Sequence, residues 1–166
     1  DQNLYNTGAL SATTTYRVFV HADESGCEDV MSVQAIVSVS PDISIANQPV
    51  GTQICVGGDW SLSVTANGSP NLLYQWQDST AAGSWQNVSE PGGTTSGFVT
   101  DALSETTWYR VFLHATESGC DDIYSAVAEV NVVSDPQLTT SPEQEICIGG
   151  SATISVSVSG GVGSPV

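Results

Sequence analysis

An internal repeat constrains this chain more than any other feature. Residues 10–29 read LSATTTYRVFVHADESGCED and residues 103–122 read LSETTWYRVFLHATESGCDD, identical at 15 of 20 positions without a gap. Tyr16 and Tyr109 are 93 apart, as are Cys27 and Cys120. A second block, Ile54-Cys55-Val56-Gly57-Gly58, returns as Ile146-Cys147-Ile148-Gly149-Gly150 at an offset of 92. A period near 93 residues is the size of one small domain, so the chain is expected to be copies of one self-contained unit. Residues 48–135 make one complete unit, 1–41 match its C-terminal half and 143–166 its N-terminal part. Both chain ends are therefore expected to fall inside a unit, as in a window on a longer tandem array. In the rival arrangement, neighbouring chains complete each other's half domains in a filament. Such a composite would lack the central stretch, residues 72–93.

Within the complete unit strand patterns dominate, and no helical period of useful length appears. Trp60, Leu62 and Val64 alternate with polar residues. Leu72, Tyr74 and Trp76 share one face of the next strand, with Leu73, Gln75 and Gln77 on the other. Residues 85–88 form a short strand after an Ala-Ala-Gly turn, and residues 98–103 form another. Tyr109, Val111, Leu113 and Ala115 line one face of the longest strand. The last strand is expected to point Ala126, Ala128, Val130 and Val132 inward. Turn residues separate these segments (Asn67-Gly68-Ser69-Pro70, Pro91-Gly92-Gly93, Ser118-Gly119). Several short strands in about 90 residues predict an all-β fold of tandem antiparallel sandwiches.

The succession Cys-x-Gly-Gly, Tyr-Gln-Trp-Gln, Leu-Ser-x-Thr-x-x-Tyr-Arg-Val and Ser-Gly-Cys resembles the immunoglobulin-like repeats of secreted and surface, adhesin-type proteins of the Bacteroidetes. The resemblance runs along the whole chain and implies an Ig-like sandwich with Trp76 in the core. Leu103 with Tyr109 resembles the tyrosine corner of such domains. One departure concerns the cysteines. Val111, two residues after the corner tyrosine, stands where an antibody domain has its second Cys.

Each unit carries one Cys near its start and one after its longest strand. The intradomain pair is then Cys55–Cys120, with Cys27 and Cys147 bonded to partners outside the window or in neighbouring chains. A bridge closing 66 residues contributes about 4 kcal/mol in the chain-entropy account. It implies an oxidising, extracellular compartment. The alternatives are four reduced thiols in a cytosolic protein, or a metal site, for which the chain has no CxxC and no Cys/His cluster.

Charge narrows the function classes. The chain has 18 acids against 2 basic residues, Arg17 and Arg110, for a net charge of −16. Two cations cannot neutralise a phosphate backbone or an anionic membrane surface, which excludes nucleic-acid binding and argues against membrane partners. Without lysine there is no phosphate-binding P-loop, no Schiff base and no Lys–Asn isopeptide crosslink. No apolar run is long enough to span a bilayer. The motifs GxSxG, HExxH and GxGxxG are absent, so no enzyme is expected. Residues 48–140 hold ten acids and one Arg, so the charge belongs to the repeat and not to an acidic tail.

Four residues form a candidate contact face. Arg110, Phe112 and His114 alternate with the core residues of the longest strand, and Trp108 joins them on the outer side. They read as a patch for a glycan or a neighbouring protomer, or as a cross-strand ladder in which Arg110 stacks on an aromatic ring and pairs an acid. Trp60 and Trp85 lie on strands that also need inward residues, leaving Trp108 as the Trp expected outward. Glu117, Asp121 and Asp122, echoed by Asp23, Glu24, Glu28 and Asp29, are weak calcium candidates whose spacing matches no known calcium loop. No other cofactor is expected. The favoured reading is an extracellular structural or adhesive repeat forming a stalk, fibre or filament on the cell surface. Its partners would be neighbouring repeats or copies of itself, held extended by Pro-bearing linkers at residues 40–49 and 135–142. The competing readings are a carbohydrate-binding module and an ancillary module of a large secreted protein such as a hydrolase.

Overall fold

A computed structural model describes residues 4–21, 26–68, 71–80, 83–116 and 120–163. Glu117, Asp23, Glu24 and the turn residues 69–70, 81–82 and 118–119 lie outside the described residues. The strands are β1 (Thr14–Tyr16), β2 (Phe19–Val20), β3 (Val30–Met31), β4 (Ala35–Val37), β5 (Ser44–Asn47), β6 (Thr52–Cys55), β7 (Ser61–Ser63) and β8 (Thr65–Asn67). They continue as β9 (Leu72–Ser79), β10 (Gln86–Asn87), β11 (Gly97–Val99), β12 (Thr107–Ala115), β13 (Ile123–Tyr124), β14 (Ala128–Val133), β15 (Gln137–Thr140) and β16 (Val156–Ser159).

Strands β5 to β14 build one sandwich. One sheet runs in the order β10-β9-β12-β14-β6, with β13 also on β12. Facing it are the antiparallel pairs β5·β8 and β7·β11, in which β8 follows β7 after Val64. The inner faces meet through Trp76, Tyr109, Val111, Leu113, Ala128 and Val130 from the first sheet and Ile43, Leu62, Val64 and Phe98 from the second. Rings bridge the sheets: Phe98 lies 6.1 Å from Trp76 and 5.8 Å from Tyr109. Trp76 and Val111, both fully buried, are register partners. Alternation along β12 places every odd-numbered residue in the core, which is why Tyr109, Val111, Leu113 and Ala115 are all buried. This is the Ig-like sandwich that the sequence pattern predicts.

Four details correct that pattern. The pairing β14·β6 is parallel, because the first strand of the domain crosses from one sheet to the other between β5 and β6. Gly51 makes the crossing possible: a Cβ there would stand 2.0 Å from the carbonyl oxygen of Glu129. The strand expected over 98–103 stops at Val99. Beyond it Leu103 is held to the Gly57-Gly58 turn by two backbone bonds of 2.8 and 2.9 Å. The last strand is broken after Tyr124, so Ala126 is exposed and Ser125 takes the buried position. Ser125 Oγ accepts the Val111 amide at 2.9 Å and donates to the Ala126 carbonyl at 2.8 Å. Finally, residues 40–49 and 135–142 are not linkers. Each carries the first strand of a repeat, β5 or β15, so the complete unit begins near Asp42 and includes the buried Ile43.

The same registers bring a correction for the cysteines. Cys55 pairs with Val133 on β14, beyond the level of Thr107, where β12 begins. Cys120 lies in the β12–β13 hairpin beyond Ala115, with its Sγ 3.7 Å from the Pro41 carbonyl. The nine residues of β12 alone separate the two levels by about 27 Å at the usual strand rise. A disulfide needs Cα atoms within about 7 Å. Cys55 and Cys120 of one sandwich are therefore not a bonded pair.

The partial repeats keep local pairing without the core. Thr14↔Val37 and Tyr16↔Ala35 reproduce Thr107↔Val130 and Tyr109↔Ala128 at the 93-residue offset. Yet Val18 and Val20 are 62 % and 58 % exposed, whereas their equivalents Val111 and Leu113 are fully buried. Pairing is a property of adjacent segments, whereas burial requires the opposing sheet.

Candidate functional site

The outer face of β9, β12 and β13 carries the candidate contact residues. Trp108, Arg110, Phe112 and His114 all occupy outward, half-buried positions of β12, as their alternation predicts. Arg110 is clamped between two rings, with its guanidinium carbon 4.3 Å from the centroids of both Trp85 and Tyr124. Its Nε donates to Gln77 Oε1 at 2.9 Å, so an amide and not an acid is its cross-strand partner. Phe112 packs against Tyr124 at 5.1 Å and stacks on His114 at 6.3 Å. His114 Nδ1 meets Asp122 Oδ1 at 2.5 Å. Trp85, Arg110, Tyr124, Phe112, His114 and Asp122 thus form one continuous ladder across the outer sheet. Stacking of this kind fixes long side chains in place and stiffens the sheet.

Part of the ladder is periodic. In the first partial repeat Phe19 stacks on His21 at 6.3 Å and His21 meets Asp29 at 2.7 Å, at positions 93 before Phe112, His114 and Asp122. The aromatic end is not periodic, since Trp108 corresponds to Thr15 and Tyr124 to Met31.

Trp85 is the residue that sequence patterning misplaced. It flanks the two-residue strand β10 and lies on the outer face, where Arg110 covers it. With Trp108, Ser79, Gly83 and Val127 it lines an open recess of about 310 Å³. A strand of two residues is too short to show an alternation, so its outward side was not legible. The signal that could have found it was the lone Arg110, a cation that needs a ring or an acid opposite it.

Beside this recess the electrostatics follow from burial. Desolvation raises the Asp78 carboxyl above its ordinary value, its own backbone amide opposes this, and Glu90 adds to it. Tyr109, the register partner of Asp78, is pushed up to about 12, chiefly by burial and then by the Asp78 charge, against a bond with the Thr107 side chain. Of the calcium candidates, Asp121 and Asp122 are exposed, and Asp122 is engaged by His114. Among the described residues no three of His, Cys, Asp and Glu gather around a common point. Among the described residues no helix is long and apolar enough to cross a membrane.

Fold and face together define the class: an Ig-like repeat protein whose complete unit presents an aromatic ladder on its outer sheet. The chain belongs to the family described as Domain of unknown function (DUF8696), whose profile matches residues 46–134, more than half of its length. Among curated proteins none matches the sequence. Solved structures with similarity include the titin M10–obscurin-like 1 Ig complex, at 18 % identity and TM-score 0.44, covering 59 % of this chain and 99 % of that one. Sidekick-1 immunoglobulin domains 1–4 align at 17 % identity and TM-score 0.49, over 79 % of this chain and 36 % of that one. The N-terminal Ig1-2 module of the Drosophila receptor protein tyrosine phosphatase DLAR aligns at 18 % identity and TM-score 0.41, over 59 % and 56 %.

Proposed function

We propose that the chain is a segment of an extracellular array of Ig-like repeats, a structural and adhesive stalk or filament on the cell surface. One observation carries the reading. The last strand of the complete repeat ends at Val133 and the first strand of the next begins at Gln137. Three residues, one of them Pro136, leave little room for domains to swing. The high negative charge of each repeat suits a surface polymer that stays soluble and does not collapse sideways. The resemblance to Bacteroidetes surface repeats points the same way. Antibodies raised against residues 42–134 test it on intact producing cells by immunogold electron microscopy. The expected result is labelling along surface appendages. Label found in the cytoplasm after permeabilisation, with none on intact cells, would contradict it.

The recess between Trp85 and Trp108 supports a second reading, carbohydrate binding on the outer face. Two neighbouring indoles give the platform that one alone cannot. Tryptophan fluorescence with a panel of soluble polysaccharides tests it. Binding should disappear in Trp108→Thr, the residue that stands at the equivalent position of the first repeat. Binding unchanged in that variant would remove the recess from consideration.

A further inference from the structure

The cysteines stand at opposite ends of the sandwich, and the two repeat junctions of this chain each display one of them. At the junction after the complete repeat, Cys55 is the register partner of Val133, at the head of the domain. At the junction before it, the Sγ of Cys120 lies 3.7 Å from the Pro41 carbonyl, at the foot.

The two repeats begin with the same local contact. A Cβ on Gly68 would stand 2.7 Å from the Asp42 carbonyl, and one on Gly160 would stand 2.7 Å from the Asp135 carbonyl. Asp42 and Asp135 are 93 apart, so Pro41 corresponds to Ser134. The foot cysteine of the following repeat, 93 positions after Cys120, would then rest against the Ser134 carbonyl. Cys55 is paired with the residue immediately before Ser134. Neighbouring strands lie about 4.8 Å apart, and a disulfide spans Cα atoms up to about 7 Å apart. We propose that the head cysteine of each repeat is bonded to the foot cysteine of the repeat that follows, so that a disulfide bridges every junction of the array.

The proposal rests on the tandem reading above and deepens it. The bond forms by thiol–disulfide exchange with a small disulfide oxidant such as glutathione disulfide. The two thiols give up two protons and two electrons, and the oxidant is reduced to two thiols. It also accounts for the spacing of the cysteines, one at each end of the unit, which an intradomain bridge does not. The effect is mechanical: each domain is tied to the next at a second point beside the chain itself.

The test uses the full chain lengthened by one repeat, residues 1–134 followed by residues 42–166, oxidised with glutathione disulfide. Remaining thiols are alkylated and the protein is mapped by non-reducing peptide mass spectrometry. The expected product links Cys55 of the first copy to Cys120 of the second, with a mass lower by two hydrogens. Cys55→Ser in the first copy should abolish the link, and Cys55→Ser in the second copy should leave it intact. A bond between Cys55 and Cys120 of the same copy would overturn the proposal. So would junction thiols that stay fully alkylated after oxidation. Small-angle scattering of the reduced protein separates the two ideas. An end-to-end dimension with reactive junction thiols defeats the clamp alone, whereas a compact shape defeats the tandem reading and the clamp with it.

Discussion

At the level of single residues, the repeat lets one position be compared in two settings. Arg110 and Arg17 are equivalent, but only Arg110 has Trp85 and Tyr124 on either side and Gln77 opposite. Each ring contact at a half-exposed site contributes about 0.5–1 kcal/mol. Arg110→Ala should therefore destabilise the complete repeat by about 1–2 kcal/mol, while Arg17→Ala should change stability by less than about 0.5 kcal/mol. Urea unfolding of the two variants decides this, and equal effects would mean that the clamp contributes nothing. Tyr109 gives a pH signature. Its hydroxyl ionises near 10 in the unfolded chain and at about 12 in the fold, so the folded state holds the proton longer. Stability present up to pH 10 should fall as pH rises from 10 toward 12. Thermal midpoints across that range should fall less in Tyr109→Phe than in the parent, and parallel curves would reject burial of the hydroxyl as the cause.

At the level of elements, the sequence revealed what alternation controls and hid what chain crossing controls. The inner face of β12 and the buried positions Leu62, Val64 and Trp76 follow from period-two patterning alone. So do the four outward residues of the contact face. The switch of the first strand between sheets was not legible, because a four-residue strand such as β5 or β6 carries too little alternation to assign its partner. The same blindness turned β5 into a linker and moved the apparent start of the domain from Asp42 to residue 48. It also joined Cys55 to Cys120, since a cysteine near each end of a unit suggests a bridge until the direction of the first strand is known. Ser125 was obscured for a different reason: a polar residue was not expected at a buried position, and only its two hydrogen bonds make it acceptable there. The crossing itself is testable at Gly51. Gly51→Ala would drive a methyl group into the Glu129 carbonyl and should cost about 1–3 kcal/mol in denaturant unfolding. A variant as stable as the parent would show that β6 does not pair with β14 as described.

At the level of the whole molecule, the junction matters most. In the proposed array, the next strand starts three residues after the last one ends, and the two ends of the sandwich lie at opposite poles, so each added repeat would add length. The foot is marked by Pro41 and Cys120, the head by Val133 and Cys55. Successive repeats of the proposed array are expected to stack end to end into a rod. Small-angle X-ray scattering of the full chain with one and then two extra copies of residues 42–134 tests this most directly. A sandwich with a nine-residue central strand and its end loops is about 40 Å long. Each added copy is expected to lengthen the maximum dimension by about 40 Å while the cross-sectional radius stays constant. A maximum dimension that barely grows while the cross-section thickens would show that the repeats fold back on one another, and would contradict it.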